Sequence, residues 1–281
     1  MPPGGEVATY HQLCDRVLRS GGLLPDFSAP DAFLRLEQGF ADAEPGDAWR
    51  FDTLIVDEGQ DFHAEWRDPL LRLLASGGAA WWLEDPMQNL YGRPAVPLPG
   101  WVVLRCDTNY RSPRDILEHI NRIVALDRPV EAGSPLSGSA VDVITYAGTH
   151  GLIEATKRAL TKAIGLGFKR DMIAVVTFRG REHSALAPYD RLGPHVLKAF
   201  TGRYDLLGSP IHTEGDTVID SVYRFKGRSA PCVIFTEIDF EALDELAMRK
   251  LFVGATRAMM KLTLIVSERA AKALPERLGP N

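Results

Sequence analysis

Cysteine is scarce in this chain, and the three present, Cys14, Cys106 and Cys232, are far apart and lack the spacing of zinc ligands. That excludes a disulfide-framed scaffold and a thiolate metal cluster, and leaves reduced thiols in a cytoplasmic protein as the simplest account. The seven histidines are equally scattered, so no metal site is built on them. No apolar run approaches the length that crosses a bilayer, and Met1-Pro2-Pro3-Gly4-Gly5 does not read as a signal peptide. Internal repeats and low-complexity segments are missing too. An excess of positive charge is also absent: Lys+Arg 32 against Asp+Glu 37 gives a net charge of −5. This excludes a protein coated in basic residues but not a local basic groove, because phosphate contacts need only a few placed cations. What is present, 45% hydrophobic and 25% charged residues, is the composition of a globular chain that buries a real core. Its 281 residues suffice for one large domain or two ordinary ones.

Strand and helix patterns alternate. Apolar residues at helical spacing predict helices over Val7–Ser20, stopped by Gly21-Gly22, and over Asp31–Phe40. A further helix is expected over Trp66–Leu74, closed by Gly77-Gly78. Short aliphatic runs predict strands at Leu54–Val56, Ala79–Leu83, Trp101–Arg105, Val141–Tyr146, Met172–Thr177, Thr217–Ser221, Cys232–Ile238 and Lys261–Val266. Ser112-Pro113-Arg114-Asp115 is a helix start with a capping box, and that helix should run to about Ala125. Helices are also expected over Leu152–Ile164 and Leu243–Ala258. Arg179–Gly215 reads as loop-rich and the tail after Leu274 as frayed. The alternation implies an α/β protein with mostly parallel sheets.

Chemistry concentrates where strands should end. Leu54-Ile55-Val56 reads as a strand buried on both faces, and Asp57-Glu58-Gly59-Gln60-Asp61 follows at once. Ligands of open α/β sheets sit beyond the carboxyl ends of the strands. There Asp57 could hold a magnesium ion, and Glu58 could orient or deprotonate a water attacking a γ-phosphate. The alternative is an ordinary helix start with Asp61 as N-cap. Glu84-Asp85-Pro86-Met87-Gln88 follows the next strand, where Gln88 could report a phosphate and an Asp-Pro turn is the plain alternative. Tyr91-Gly92-Arg93 could stack a base and touch a phosphate, or be loop surface. In Asn109-Tyr110-Arg111, an aromatic ring beside a guanidinium suits a nucleotide. Tyr223-Arg224-Phe225-Lys226-Gly227-Arg228 interleaves rings with cations, which suits single-stranded nucleic acid; a solvated basic loop competes. Gly254-Ala255-Thr256-Arg257-Ala258 sets one arginine among small residues, which would let another surface approach and leave Arg257 free to project as an arginine finger.

In order, DEGQD, EDPMQ, NYRSP, YRFKG and LFVGATRA resemble motifs II, III, IV, V and VI of the UvrD/Rep-type superfamily 1 DNA helicases, most nearly the short bacterial helicase-like ATPases. Ala8-Thr9-Tyr10-His11 with Leu13-Cys14 resembles the segment upstream of motif II. The resemblance spans nearly the whole chain. It implies two RecA-like lobes, 1–105 and 106–281, with ATP and magnesium between them and single-stranded DNA across their top. By position, Asp57 would bind magnesium, Glu58 would be the catalytic base and Gln88 the γ-phosphate sensor. Tyr110 would stack on adenine, Lys226 and Gly227 would stand at the nucleotide, and Arg111 and Arg257 would reach the γ-phosphate. Thr9, His11, Tyr91, Arg93 and Tyr223 would face DNA. The resemblance also implies a cytoplasmic, monomeric DNA-repair protein, working with a nuclease domain or partner.

The sequence departs from that pattern. No Gly-Lys dipeptide occurs anywhere in the 281 residues, so the phosphate-binding loop that supplies an amide cradle and a lysine is missing. The first lobe is therefore expected to be N-terminally truncated, with weak or no ATP hydrolysis. Arg228-Ser229 replaces the usual Leu-Glu after Lys-Gly, removing a carboxylate expected at the ribose, and Tyr223 stands where the family has His. A non-catalytic, helicase-like DNA-binding or regulatory module is the alternative reading.

Overall fold

The computed structural model describes residues 5–124, 128–137, 140–204 and 210–274. The chain divides into two compact units, Met1–Val102 and Val103–Asn281. Both are mixed α/β, and the sheets are mostly parallel.

In the first unit, α1 (Tyr10–Ser20) starts one turn later than the apolar spacing suggests, because Thr9 and Gln12 close a capping box across its first turn. Val7 is left outside it, exposed. Helix α2 spans Ala32–Asp42. Strand β1 (Phe51–Val56), helix α3 (Ala64–Leu71) and strand β2 (Leu74–Trp82) follow, and β1 pairs with β2 in parallel. Tyr10, Cys14, Leu36, Phe40, Leu70 and Leu73 form the core between helices and sheet. Three expectations fail here. Gly77-Gly78 do not end a helix but lie inside β2, which begins three residues after α3 ends. β1 is not buried on both faces: Val56 is 5% exposed and Ile55 61%, since the core cluster covers one side of this two-stranded sheet. Trp101–Arg105 forms no strand; it has no ladder partner among the described residues, and Val102 and Leu104 are exposed.

The second unit opens with β3 (Thr108–Asn109), α4 (Arg114–Val124) and β4 (Glu131–Ala132), where β3 and β4 pair in parallel. Ala125 and the tail after Leu274 lie outside the described residues. Then come β5 (Asp142–Tyr146), α5 (Gly148–Gly165) and β6 (Ile173–Thr177). The stretch expected to be loop-rich holds three strands: β7 (Arg191–Leu192), β8 (His195–Tyr204) and β9 (Pro210–His212). β10 (Thr217–Ser221), the short α6 (Val222–Phe225), β11 (Ala230–Ile238), α7 (Glu245–Ala255), β12 (Ala258–Ser267) and α8 (Glu268–Ala273) complete it. Among the described residues these strands form one sheet in the order β5-β12-β11-β6-β10-β8-β7, with β9 also on β8. All neighbours from β5 to β8 are parallel, and β7 and β9 run antiparallel to β8.

Alternation along the central strands sorts the two faces. Ile173, Val175 and Ile234 meet Leu152, Ala159 and Leu160 of α5. The next residue, Phe235, meets α7 on the opposite face, where its ring fills the space beside Gly254. A buried hydroxyl pair, Thr156 and Thr236 at 3.0 Å, ties α5 to β11.

Candidate functional site

At the carboxyl ends of β1 and β2 the polar residues form one connected network. Asp57 is exposed and its Oδ1 accepts the Glu58 amide at 2.9 Å. Glu58 sits in the left-handed region, φ 54 and ψ 42, a conformation that costs a non-glycine residue about 1–3 kcal/mol. The backbone holds it there: Leu83 donates to the Val56 carbonyl and Gly59 to the Leu83 carbonyl, each at 2.8 Å. Buried Gln60 then links the two strand ends. Its Nε2 donates to Glu58 Oε2 at 2.6 Å, and its Oε1 accepts the Asp85 amide at 2.9 Å. The Asp85 carboxylate in turn accepts from the Met87 amide at 3.0 Å and from Gln88 Nε2 at 2.8 Å. The chain Glu58–Gln60–Asp85–Gln88 thus joins the two acidic clusters. Gln60, which the sequence did not single out, is its centre; a glutamine buried among carboxylates and amides has no signature of its own in one sequence.

The other candidates in this unit do internal work. Asp61 closes a 3-10 turn rather than capping α3, whose preceding residue is His63. The Arg93 guanidinium donates to the Asp61 carbonyl and lies 5.6 Å from the Tyr91 ring centre and 5.8 Å from Trp66. Tyr91 is exposed. Thr9 caps α1, and His11 Nε2 bonds Glu37 at 2.8 Å.

In the second unit, Asn109 Oδ1 accepts the amides of Arg111 at 2.8 Å and Ser112 at 2.9 Å, folding a tight turn that leaves Tyr110 and Arg111 exposed. Tyr110 packs along Gly133, where any side chain would collide with its ring. Ser112 Oγ donates to the Thr256 carbonyl at 3.1 Å, fastening the start of α4 to the end of α7. Arg257 lies just past α7, not within it, and is 2% exposed. Its Nε donates to the Val253 carbonyl at 3.1 Å and Nη2 to Thr256 Oγ1 at 3.3 Å. The expectation of a freely projecting arginine is corrected accordingly. The small residues around it serve the packing of α7 on Phe235.

The Tyr223–Arg228 segment begins where β10 ends. Asp220, nearly buried, is 3.4 Å from Arg224 and 3.6 Å from Arg228. Burial raises its carboxyl above the ordinary range, against the pull of the Ser221 amide and the two arginines. Arg224 lies 3.6 Å from the Phe200 ring centre, and Lys250 lies 5.2 Å from that of Tyr223. Lys226 is partly exposed, and Gly227 takes φ 76. Beside them a hollow of about 340 Å³ opens, lined by Thr177, Arg181, Tyr189, Phe200, Asp220 and Ser221. Arg181, Phe200 and Asp220 were missed in the sequence. Asp220 carried the same signal as Asp57, an acid directly after an apolar strand.

Residues 216–265 match the model of the UvrD-like helicase C-terminal domain. That segment contains β10, the Tyr223–Arg228 stretch, β11, α7 and Arg257. No curated protein matches the chain. Among solved structures, the C-terminal domain of a possible DNA helicase from Lactobacillus plantarum is similar, with 17% identity and a TM-score of 0.42 over 56% of this chain and 87% of that one. The second unit therefore carries a helicase-like segment on a mixed α/β, mostly parallel scaffold.

Proposed function

We propose that this chain is a UvrD-like helicase core that binds single-stranded DNA and whose fold is arranged for an ATP-coupled motor, here without its phosphate loop. The observation that carries the reading is the coincidence of the matched segment with the cation-and-ring surface at the end of β10, where Arg224 lies on Phe200 and Lys250 on Tyr223, both rings partly exposed, and Arg228 covers the buried Phe225. Rings and guanidiniums together offer stacking and phosphate contacts without base-specific readout. In this reading the partner is a single strand, and the cofactors are ATP and Mg²⁺.

The residues fit the metal better than the triphosphate. Asp57, an exposed carboxylate at a strand end, is a donor of the kind that holds magnesium together with phosphate oxygens and waters. Glu58, fixed in direction by Gln60, would orient the attacking water. Tyr110 would cover the base and Arg111 would meet phosphate oxygens. The cradle is what these residues do not provide. Positioning and electrostatic alignment are most of phosphoryl-transfer catalysis, so hydrolysis by this chain should be very slow or nil.

ATP turnover with and without a single-stranded oligonucleotide, against Glu58→Gln, tests the motor. Robust turnover that disappears in the variant would overturn the inactive prediction. Fluorescence anisotropy with the same oligonucleotide tests DNA binding; Arg224→Ala and Arg228→Ala should each weaken it and reduce its salt dependence. A second reading, a non-catalytic DNA-binding or regulatory module, is favoured by the missing Gly-Lys pair and by Ser229. Strong DNA binding with no ATP binding at all would decide for it.

A further inference from the structure

On the surface of the first unit a row of rings runs from the loop between α1 and α2 to the turns that follow β2. Phe27 meets Phe33 at 6.1 Å between ring centres, Phe33 meets His11 at 5.0 Å, and His11 meets Trp66 at 5.4 Å, each edge to face. The Arg93 guanidinium continues the row, 5.8 Å from Trp66 and 5.6 Å from Tyr91. Edge-to-face contacts leave open the ring faces that stacking would cover. Phe27, Phe33 and Tyr91 are about half exposed, and Trp66 is partly so. Leu34, beside Phe33 in the chain, and Leu23 and Leu24, in the loop that carries Phe27, are exposed as well.

One carboxylate braces the middle of this row. Glu37 Oε1 bonds His11 Nε2 at 2.8 Å, and its Oε2 accepts from Trp66 Nε1 at 3.1 Å. Trp66 also stacks on the buried Tyr10, at 4.1 Å between ring centres. Rings held in this way lose little freedom when a partner arrives, so less of the contact energy is spent on ordering them. Contiguous exposed apolar side chains mark contact surfaces, whereas scattered ones need no explanation.

Charge decides which partner fits. Met1–Val102 contains seven arginines and no lysine against sixteen acidic residues, a net charge of −9, whereas Val103–Asn281 has 25 basic against 21 acidic residues. The seven arginines are already engaged. Arg16, Arg19, Arg35 and Arg67 pair with carboxylates, and the other three donate to backbone carbonyls. A bound strand needs cations for its phosphates, so this surface is poorly furnished for the DNA that the resemblance places on His11, Tyr91 and Arg93. Carboxylates are in surplus instead. Asp26, next to Phe27, and Glu65, next to Trp66, are exposed and form no ion pair among the described residues.

We propose that this ring row docks an extended basic segment of a partner protein, with proline or aliphatic residues seated on the rings and Lys or Arg side chains on Asp26 and Glu65. Extended segments, above all those in polyproline II form, suit a row of rings because they present side chains at a regular spacing and arrive with little conformational freedom to lose. Opposite charge steers such a segment to the acidic unit and rejects phosphate-bearing competitors. The inference rests neither on DNA binding nor on ATP hydrolysis, because its test reads different residues.

The test selects short random peptides displayed on phage against the full chain. The enriched sequences are then synthesised with a fluorophore and titrated by anisotropy with wild type, Phe33→Ala, and Asp26→Asn combined with Glu65→Gln. Both variants are checked for native melting; all three side chains are exposed, and Glu37 still ties His11 to Trp66 without them. The enriched peptides should be net positive, should carry proline or aliphatic residues, and should bind less tightly as salt rises. Phe33→Ala should weaken them roughly ten-fold, and the Asp26→Asn, Glu65→Gln pair roughly three-fold. An oligodeoxythymidylate should respond to Arg224→Ala and be indifferent to Phe33→Ala. The proposal is overturned if no peptide is enriched above an unrelated control protein, if the enriched peptides are neutral or acidic, or if Phe33→Ala leaves their affinity unchanged. It is equally overturned if Phe33→Ala weakens the oligonucleotide, which would make the row a platform for a strand. Loss of a dimer in Phe33→Ala, read by sedimentation, would overturn it in favour of a second copy of this chain.

Discussion

An alanine at position 254 would place its Cβ 2.3–2.7 Å from three atoms of the Phe235 ring. Real Cβ atoms do not approach carbon so closely, so the ring or the helix must move. Neither has room: Phe235 is 0% exposed, and the end of α7 is fastened by Thr256 to Phe252 and by Ser112 to Thr256. Two effects then compete. Alanine is a better helix former than glycine by about 1 kcal/mol in a helix interior, and by less here, next to the last residue of α7. Overpacking a filled core costs about 1–3 kcal/mol. With both partners pinned the cost belongs at the upper end, and the net effect of Gly254→Ala is a loss of about 2 kcal/mol. In a unit of this size that lowers the melting temperature by roughly 4–8 °C. Differential scanning calorimetry measures it, and Phe235→Leu supplies the control: in that background Gly254→Ala should cost much less. An unchanged or raised melting temperature in the single variant would refute the reasoning, because helix propensity would then have outweighed the collision.

Gln60→Leu should destabilise the first unit by about 1–3 kcal/mol, by leaving the Asp85 amide without its acceptor; an unshifted urea midpoint would contradict it. Thr156→Val should cost more than Thr236→Val, because Thr156 Oγ1 also donates to the Leu152 carbonyl and keeps a partner when Thr236 is changed, whereas Thr236 loses its partner when Thr156 is changed. Equal midpoints for the two variants would show the pair to be unimportant. Burial raises the Glu237 carboxyl above its ordinary 4.5, so the native state holds that proton more tightly than the unfolded chain. Its contribution is full below 4.5 and is lost as pH rises through the folded value, and Glu237→Gln should flatten that decline in a series of denaturation midpoints. Asp239 behaves oppositely: against its burial, its bonds to Arg269, Ser267 and Arg179 hold it below the ordinary 3.8, so its contribution is present above 3.8 and lost on acidification.

Much of the second unit was legible because its central strands are continuous apolar runs. Ile173–Thr177 is buried at every position, as a strand covered on both faces must be, and Thr217–Ser221 was placed to the residue. β8 was not legible. It lies toward the sheet edge with short antiparallel partners, and its Lys198, Thr201, Gly202 and Arg203 break any run long enough to read. In the first unit Gly77-Gly78 imitated a helix stop, although they lie within β2, at the irregularity where its register with β1 shifts and Gly77 takes φ 78. The acidic clusters could be located but not wired: nothing in DEGQD marks Gln60 as the buried link between strand ends. Arg257 shows the same limit, since small neighbours signal close packing without naming the partner, which proves to be Phe235 of the same unit.

Among the described residues, two that are not glycine adopt a positive φ, and both are glutamates: Glu58 at φ 54 and Glu237 at φ 59. One stands at the carboxyl end of β1 and the other at the carboxyl end of β11, the rim where parallel sheets present ligands. Glycine would take either conformation without strain, so the backbone path does not require a carboxylate at these points. Each instead costs about 1–3 kcal/mol and persists because its neighbours leave no alternative. At Glu58 the ladder bonds to Leu83 fix the turn and Gln60 fixes the side chain; at Glu237 the β11 bulge and the Ala185 amide do the same. Strain alone could mark a kink, and a buried acid alone could be incidental. A strained backbone that aims a carboxylate beyond the end of a parallel strand, once in each unit, makes both glutamates the positions at which chemistry should be sought first.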